Sequence, residues 1–318
     1  MELLFNKIFL QHETGMHPEN AKRLAAFSGL REVEIMDGAP FLELIHHPAY
    51  IKKVKNAFKS ADWLDQDTRV SAGSYAAAVA AVGATIMASE SGDFALVRPP
   101  GHHAYPDHSS GFCLFNNIAI ATQKLVQEGK RVLIFDFDGH LGDGTSHIFY
   151  DTDQVLYWSI HQYPAFPGNG RGNEIGEGKG KGFTINVPLP PQSGDDIFMN
   201  AVNAFLPVVE QFQPDIIAIS AGFDAHAFDL LLELRVTAGS FYQVGKKLKE
   251  GSFPLFATLE GGYNVEMLPH CIHNFLAGVN AEAMPFTEST TTSSRTVWEE
   301  YELRLHSLFY FLKPYWKF

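Results

Sequence analysis

The chain holds few cysteines: two in 318 residues, Cys113 and Cys271. That number excludes a disulfide framework and a thiolate zinc cluster, and makes a reducing compartment the default expectation. Basic residues are also scarce, 24 Lys and Arg against 36 Asp and Glu, for a formal net charge of −12. Such a balance argues against a nucleic-acid binder, which carries a basic face. It suits basic substrates such as lysine-rich tails or polyamines, or it serves solubility alone. No stretch reaches the roughly 18 uninterrupted apolar residues of a membrane span. The opening MELLFNKIFLQHETG has neither the basic region nor the long apolar core of a signal peptide. The expectation is a cytoplasmic protein with no membrane or nucleic-acid partner. There is no internal repeat and no linker, so residues 1–318 are expected to form a single domain.

What the chain does have is a series of short apolar runs that read as fully buried parallel strands. They are DFALVRPP (93–100), RVLIFDFD (131–138), VLYWSIH (155–161), DIIAISAGFD (215–224) and FPLFATLEGGY (253–263). Between them, 75–90, 116–130 and 196–212 carry helical period. Strands alternating with helices predict βαβ units and a parallel sheet covered on both faces, hence an α/β fold. Ligands in such sheets bind beyond the carboxyl ends of the strands. Four of the runs finish there in chemically capable residues: RPPGHH, DFDGH, SAGFDAH and LEGGY. The segment TESTTTSSRT (287–296) reads as a flexible surface loop, and the aromatic stretch 297–318 as a helical tail that packs back. The glycine-rich stretch 167–182 lacks the GxxxxGK[ST] spacing of a phosphate loop and reads as a long loop over an active site.

An Asp-x-Asp-x-His series at a strand end places alternate side chains on one face, so Asp138 and His140 can reach one ion together. Asp224 of SAGFDAH is the candidate third ligand. Two carboxylates and one imidazole suit a divalent ion with an open position. The same acids would equally serve as helix caps or solvated turn residues. The tandem His102-His103 suits a general-base pair beside an activated water, with Asp136 and Asp143 available to orient them. His46-His47 lies in a helix-like segment without glycines and reads as structural. Tyr263 follows Gly261-Gly262 and can offer a phenol to an oxyanion, or simply pack. Phe112, Phe115 and Phe166 would line an apolar slot or fill the core.

Together, RPPGHH, SGFCLFNN, FDFDGHLGDGT, PGNG, SAGFDAH and LEGGYN, in this order, resemble the zinc-dependent histone deacetylase family. HETGMHPENAKRL (12–24) and LDQDTRVSAGSYAAA (64–78) resemble that family's opening segments, and the last two motifs point to its class II and bacterial amidohydrolase branch. The resemblance implies a three-layer α/β/α, arginase/deacetylase-like fold with a central parallel sheet of about eight strands. It implies zinc on Asp138, His140 and Asp224; catalytic His102, His103 and Tyr263, with Asp136 and Asp143 behind the histidines; and a structural potassium around Asp136 and Ser159. Phe112 and Phe166 would wall an acyl-lysine tunnel, the Gly111 carbonyl would accept from the substrate Nε–H, and Asp65 would bind substrate backbone at the rim, with Asp67 competing for that role.

Leu231 stands where a polyamine enzyme of the family would carry glutamate, which favours an acyl-lysine protein or peptide over a small acetylated amine, although Glu233 is close. The pattern is broken in two places. Leu141 replaces the second of two consecutive histidines, and Gly139 replaces an apolar residue, adding backbone freedom there. Leu141 is also the only support for a further alternative, a weakly active acyl-lysine-binding scaffold.

Overall fold

The computed structural model describes residues 1–59 and 63–318. Seven parallel strands form one sheet: β1 (Leu3–Leu4), β2 (Phe94–Ala95), β3 (Val132–Asp136), β4 (Val155–Gln162), β5 (Thr184–Leu189), β6 (Ile216–Ala221) and β7 (Leu255–Leu259). Their spatial order is β1-β2-β7-β6-β3-β4-β5. Eight α-helices accompany them: α1 (Pro48–Asn56), α2 (Ser74–Ser91), α3 (Asn117–Gln127), α4 (Asp143–Ile148), α5 (Asp195–Phe212), α6 (Ala238–Glu250), α7 (Leu268–Val279) and α8 (Arg295–Leu312). Among the described residues none of these is long and apolar enough to cross a membrane.

Burial on both faces explains the apolar runs. Every residue of β3, β4 and β5 is buried, as a parallel sheet sandwiched between helices requires. Phe135 and Trp158, paired across β3 and β4, stack with ring centroids 4.1 Å apart. The alanine-rich α2 packs against β2, β7 and α3; its small side chains have high helix propensity and let the helix lie close to its neighbours. Asn116 caps α3, its side chain accepting from Ala119 N–H at 3.0 Å, which fixes where the 111–116 loop ends. On the other side α5 packs against β4, β5 and α6, and α6 lies along α7.

The sheet has seven strands where about eight are expected. Beyond β5 the edge is covered by a helix instead of being extended by another strand. α8 packs on β5, Arg304 donates to Pro188 O at 3.4 Å, and Trp316 Nε1 beyond the helix donates to Gly182 O at 2.6 Å. An edge strand left open would present unpaired backbone groups, and a covering helix removes that hazard. The 287–294 segment has no regular element; Thr291 and Ser293 hydrogen-bond the carboxylates of Asp195 and Asp196 at the start of α5.

The chain runs β3-β4-β5 outward in one direction and then returns to place β6 on the other side of β3. The carboxyl ends of β3 and β6 therefore flank a topological switch point, the crevice where open α/β sheets bind ligands. β7, next to β6, delivers its own carboxyl end to the same crevice.

Candidate active site

The turn after β3 folds on its own carboxylates. Asp138 N–H donates to Asp136 Oδ1 at 3.2 Å, and His140 N–H to Asp138 Oδ1 at 2.9 Å. From the end of β6, Asp224 reaches across. Its Oδ1 accepts from Gly139 N–H at 2.6 Å, and its Oδ2 lies 2.7 Å from His140 Nδ1. From β7, Gly261 N–H donates to Asp138 Oδ2 at 2.7 Å. Asp138, His140 and Asp224 are buried and bring ligand atoms within 4.8 Å of one another.

This donor set fits a divalent cation. Two carboxylates buried beside one imidazole leave a negative site out of water, which demands a positive charge. The electrostatics show that demand. Burial opposes the charged form of His140, yet Asp224 and Asp138 raise its pKa to about 10. Burial likewise opposes ionised Asp138, but His102 and His140 hold it below its ordinary value. Burial and Asp138 push Asp224 up to about 7. The backbone is cut to match: a Cβ on Gly261 would lie 2.6 Å from an oxygen of each carboxylate, and one on Gly222 would overlap Asp138.

The tandem histidines come from the loop after β2. His102 Nδ1 lies 3.2 Å from Asp136 Oδ2, which also accepts from Tyr157 OH at 2.9 Å. His103 Nδ1 lies 2.7 Å from Asp143 Oδ1, whose other oxygen accepts from Tyr105 OH at 3.0 Å. The two imidazoles are held in different states. Burial lowers the pKa of His102, but Asp138 and Asp136 override it and hold it well above normal. Burial and the neighbouring His102 bring His103 down to about 4 against the pull of Asp143. A neutral His103 that donates its Nδ1–H hydrogen bond to Asp143 and keeps that proton leaves Nε2 free to accept one.

Asp67, His103, Gly111, Phe112, His140, Phe166, Leu231 and Tyr263 line a cavity of about 230 Å³. Phe112 and Tyr263 meet edge to face at 5.6 Å, and Phe166 meets His103 at 5.1 Å. Burial pushes the Tyr263 phenol well above its usual pKa, with Arg23 pulling the other way from 5.0 Å over the ring. The phenol thus stays protonated, as a hydrogen-bond donor must. A larger cleft of about 910 Å³, between the chain start and α7, holds none of these groups.

The structure brings together Asp138, His140, Asp224, His102, His103, Asp136, Asp143, Gly111, Phe112, Phe166, Leu231 and Tyr263. It does not bring Asp65 to the cavity. That carboxylate accepts from Asp67 N–H at 3.0 Å, from Thr68 N–H at 2.7 Å and from the Ser109 hydroxyl. The lining acid is Asp67, pushed up to about 6 by burial and by Asp65. Glu233 is exposed and absent from the lining, while Leu231 is part of it. Ser159 faces Asp136 across β3 and β4, and its hydroxyl lies 2.8 Å from His161 Nδ1.

Gly139 adds no free space, because a Cβ there would overlap Leu232 Cδ1. Leu141 is buried, with Gly170 of the glycine-rich loop close against it. His46 is structural, a buried ring between Tyr105 O and Asn116 N–H.

Several residues at the site carry no local signal. Glu260 of LEGGYN is buried and accepts from Gly101 N–H at 2.6 Å and His102 N–H at 3.1 Å, so it fixes the tandem-histidine loop from below. With His102 and Cys113 it forms a second buried group of potential ligand atoms. Tyr105, Tyr157 and Asp229 also escape notice in the sequence.

The family model for the histone deacetylase domain matches residues 17–279. A probable deacetylase from Archaeoglobus fulgidus is 38% identical over 292 residues, covering 83% of this chain and 81% of that protein. Among solved structures, the HDA15 HD domain superposes with a TM-score of 0.87 at 29% identity, covering 98% of this chain and 95% of its own. An acetylpolyamine aminohydrolase from Burkholderia pseudomallei superposes with a TM-score of 0.81 at 28% identity, over 88% of this chain and 99% of its own. The sheet, the switch-point site and these matches agree: the chain belongs to the histone deacetylase family, whose members are hydrolases acting on amides.

Proposed function

We propose that the protein removes acetyl or related acyl groups from the ε-amine of lysine in proteins or peptides. One observation carries this reading: a bare, Asp143-oriented imidazole, the His140 member of a buried Asp-His-Asp donor set and a protonated tyrosine line one cavity of about 230 Å³ with Phe112 and Phe166. Those two rings suit a substrate whose stem is four methylenes, which offer only apolar surface.

Asp138, His140 and Asp224 would hold zinc. When bound, it supplies Lewis acidity to the amide carbonyl and lowers the pKa of a neighbouring water. His103 accepts the water's proton at Nε2 while Asp143 keeps its Nδ1–H in place. His102, its Nδ1 3.2 Å from Asp136, lies behind it, and His103 returns that proton to the leaving amine. Tyr263 donates to the oxyanion, a contribution that is commonly about 3–4 kcal/mol per donor. The Gly111 carbonyl accepts from the substrate Nε–H. Asp136 and Ser159, paired across β3 and β4 and both buried, would bear on a structural potassium.

The decisive assay compares an acetyl-lysine peptide with N-acetylspermidine on zinc-loaded protein. The expected result is faster peptide turnover, with kcat lowered about 10²–10³-fold in Tyr263→Phe. No turnover of either substrate, or an active Tyr263→Phe, would overturn the proposal. A second reading, a small acetylated polyamine, has one observation in its favour: the Asp67 carboxylate lines the cavity and can meet a distant ammonium. Faster acetylspermidine turnover, with the preference erased in Asp67→Asn, would establish that reading instead.

A further inference from the structure

The turn before Tyr263 is held at Gly261, whose N–H donates to Asp138 Oδ2 at 2.7 Å, and at Gly262, whose carbonyl accepts from Arg23 Nε at 2.7 Å, but neither bond reaches the tyrosine's own N–H. Gly261 and Gly262 precede it, and Gly262 has φ +114°, a left-handed conformation with no side chain to anchor. The bonds that fix the tyrosine's amide come from elsewhere. Asp229, buried in the loop between β6 and α6, accepts from Tyr263 N–H at 2.6 Å and Asn264 N–H at 3.2 Å through Oδ2. Through Oδ1 it accepts from Leu231 N–H at 3.1 Å. Asn264 answers from the opposite side, its Nδ2 donating to Phe228 O at 2.8 Å. One carboxylate thus joins the rim loop that carries Leu231 to the turn that carries Tyr263.

We propose that Asp229 is a positioning residue that holds the Tyr263 hydroxyl at the reacting carbonyl. The inference rests on the reading that Tyr263 stabilises the oxyanion. A carboxylate with two oxygens can take all three N–H donors at once; an amide has one acceptor oxygen and turns its NH2 toward the others. Asp229→Asn therefore keeps the shape of the junction and loosens one side of it. An oxyanion donor acts only at its correct distance, and displacement of about 1 Å is enough to cost 10²-fold in rate.

The test is a double-mutant cycle in kcat and KM with wild type, Asp229→Asn, Tyr263→Phe and the double variant, all zinc-loaded. Asp229→Asn is expected to lower kcat at least about tenfold and leave KM within about twofold, with zinc content unchanged. In the Tyr263→Phe background the same change is expected to have almost no effect, because the group it positions is gone. If the double variant falls below detection, the cycle is read instead as affinity for an acyl-lysine trifluoromethyl ketone, whose hydrate presents the oxyanion.

Asn264→Ala cuts the second tie between the same loops. It is expected to give a smaller kcat loss that also disappears with Tyr263→Phe, and it stands in if Asp229→Asn fails to fold. Losses that multiply in the double variant, or no loss in either single variant, would overturn the role of Asp229 and leave the proposed function standing. A fully active Tyr263→Phe would overturn both.

Discussion

Replacing His46 with glutamine should change the protein's acid stability in a way the structure lets one calculate. The ring is buried between two backbone groups. Asn116 N–H donates to Nε2 at 2.9 Å, so the single ring proton resides on Nδ1, 3.0 Å from Tyr105 O. Protonating Nε2 would set two donors against each other. Burial is the main reason the pKa falls from 6.5 to about 4, partly opposed by the Tyr105 carbonyl. The sign follows from linkage. Between these values the unfolded chain binds the proton and the folded one does not, so His46 costs stability as pH falls from 6.5 toward 4. Above 6.5 that cost is absent.

Over the whole window the effect is about 3 kcal/mol, and between pH 7 and pH 5 about 2 kcal/mol. His46→Gln removes the titration and weakens one or both hydrogen bonds, costing about 1–3 kcal/mol at pH 7. Urea unfolding of both proteins at pH 7 and pH 5 measures the difference. The wild type should lose about 2 kcal/mol more than the variant on acidification, which narrows the gap between them. Equal losses would show that His46 is not a neutral buried ring, and the argument would fail.

Glu19 is buried between Arg98, Arg23 and His12, with Arg98 Nη2 at 2.7 Å. Glu19→Gln leaves two buried guanidiniums without their carboxylate and should destabilise the fold by about 3–5 kcal/mol in urea melts. Burial opposes ionised Glu19 but Arg98 and His12 hold its pKa well below 4.5, so its contribution is full above pH about 4.5 and fades only in stronger acid. Gly261→Ala places a methyl 2.6 Å from oxygens of Asp138 and Asp224. Metal analysis after dialysis should show zinc content falling at least about tenfold in that variant while far-ultraviolet circular dichroism is kept; full zinc content would refute the cradle.

Much of the site was legible because of how parallel sheets bury their strands. When both faces are covered, a strand reads as an unbroken apolar run, and the polar residues at its end stand out. β3, β4, β6 and β7 were visible in this way, and so were Asp138, His140, Asp224, His102-His103 and Tyr263. The run 93–100 also marked β2, although only Phe94–Ala95 form the strand; β1 is two residues, too short to show a pattern, and β5 (TINVPL) carries a proline that hides it. Periodicity gave α2, α3 and α5 nearly to their ends, while α6 and α7 went unmarked.

The sequence alone determined which chemistry is present: the candidate metal donors, the imidazoles and the phenol are short-range facts, each following closely on an apolar run. Only the tertiary structure decided how loops from distant strands divide the work. Asp65 and Asp67 are two residues apart and chemically equal, yet one is spent on Ser109 and its own turn while the other faces the cavity. At Gly139 the structure adds what the sequence does not show, the Leu232 side chain, 93 residues on, standing where a Cβ would lie. Glu260 and Asp229 act on backbone amides, and an amide has no residue type to betray it in advance. Such roles depend on where two loops meet in space, and no local pattern carries that information.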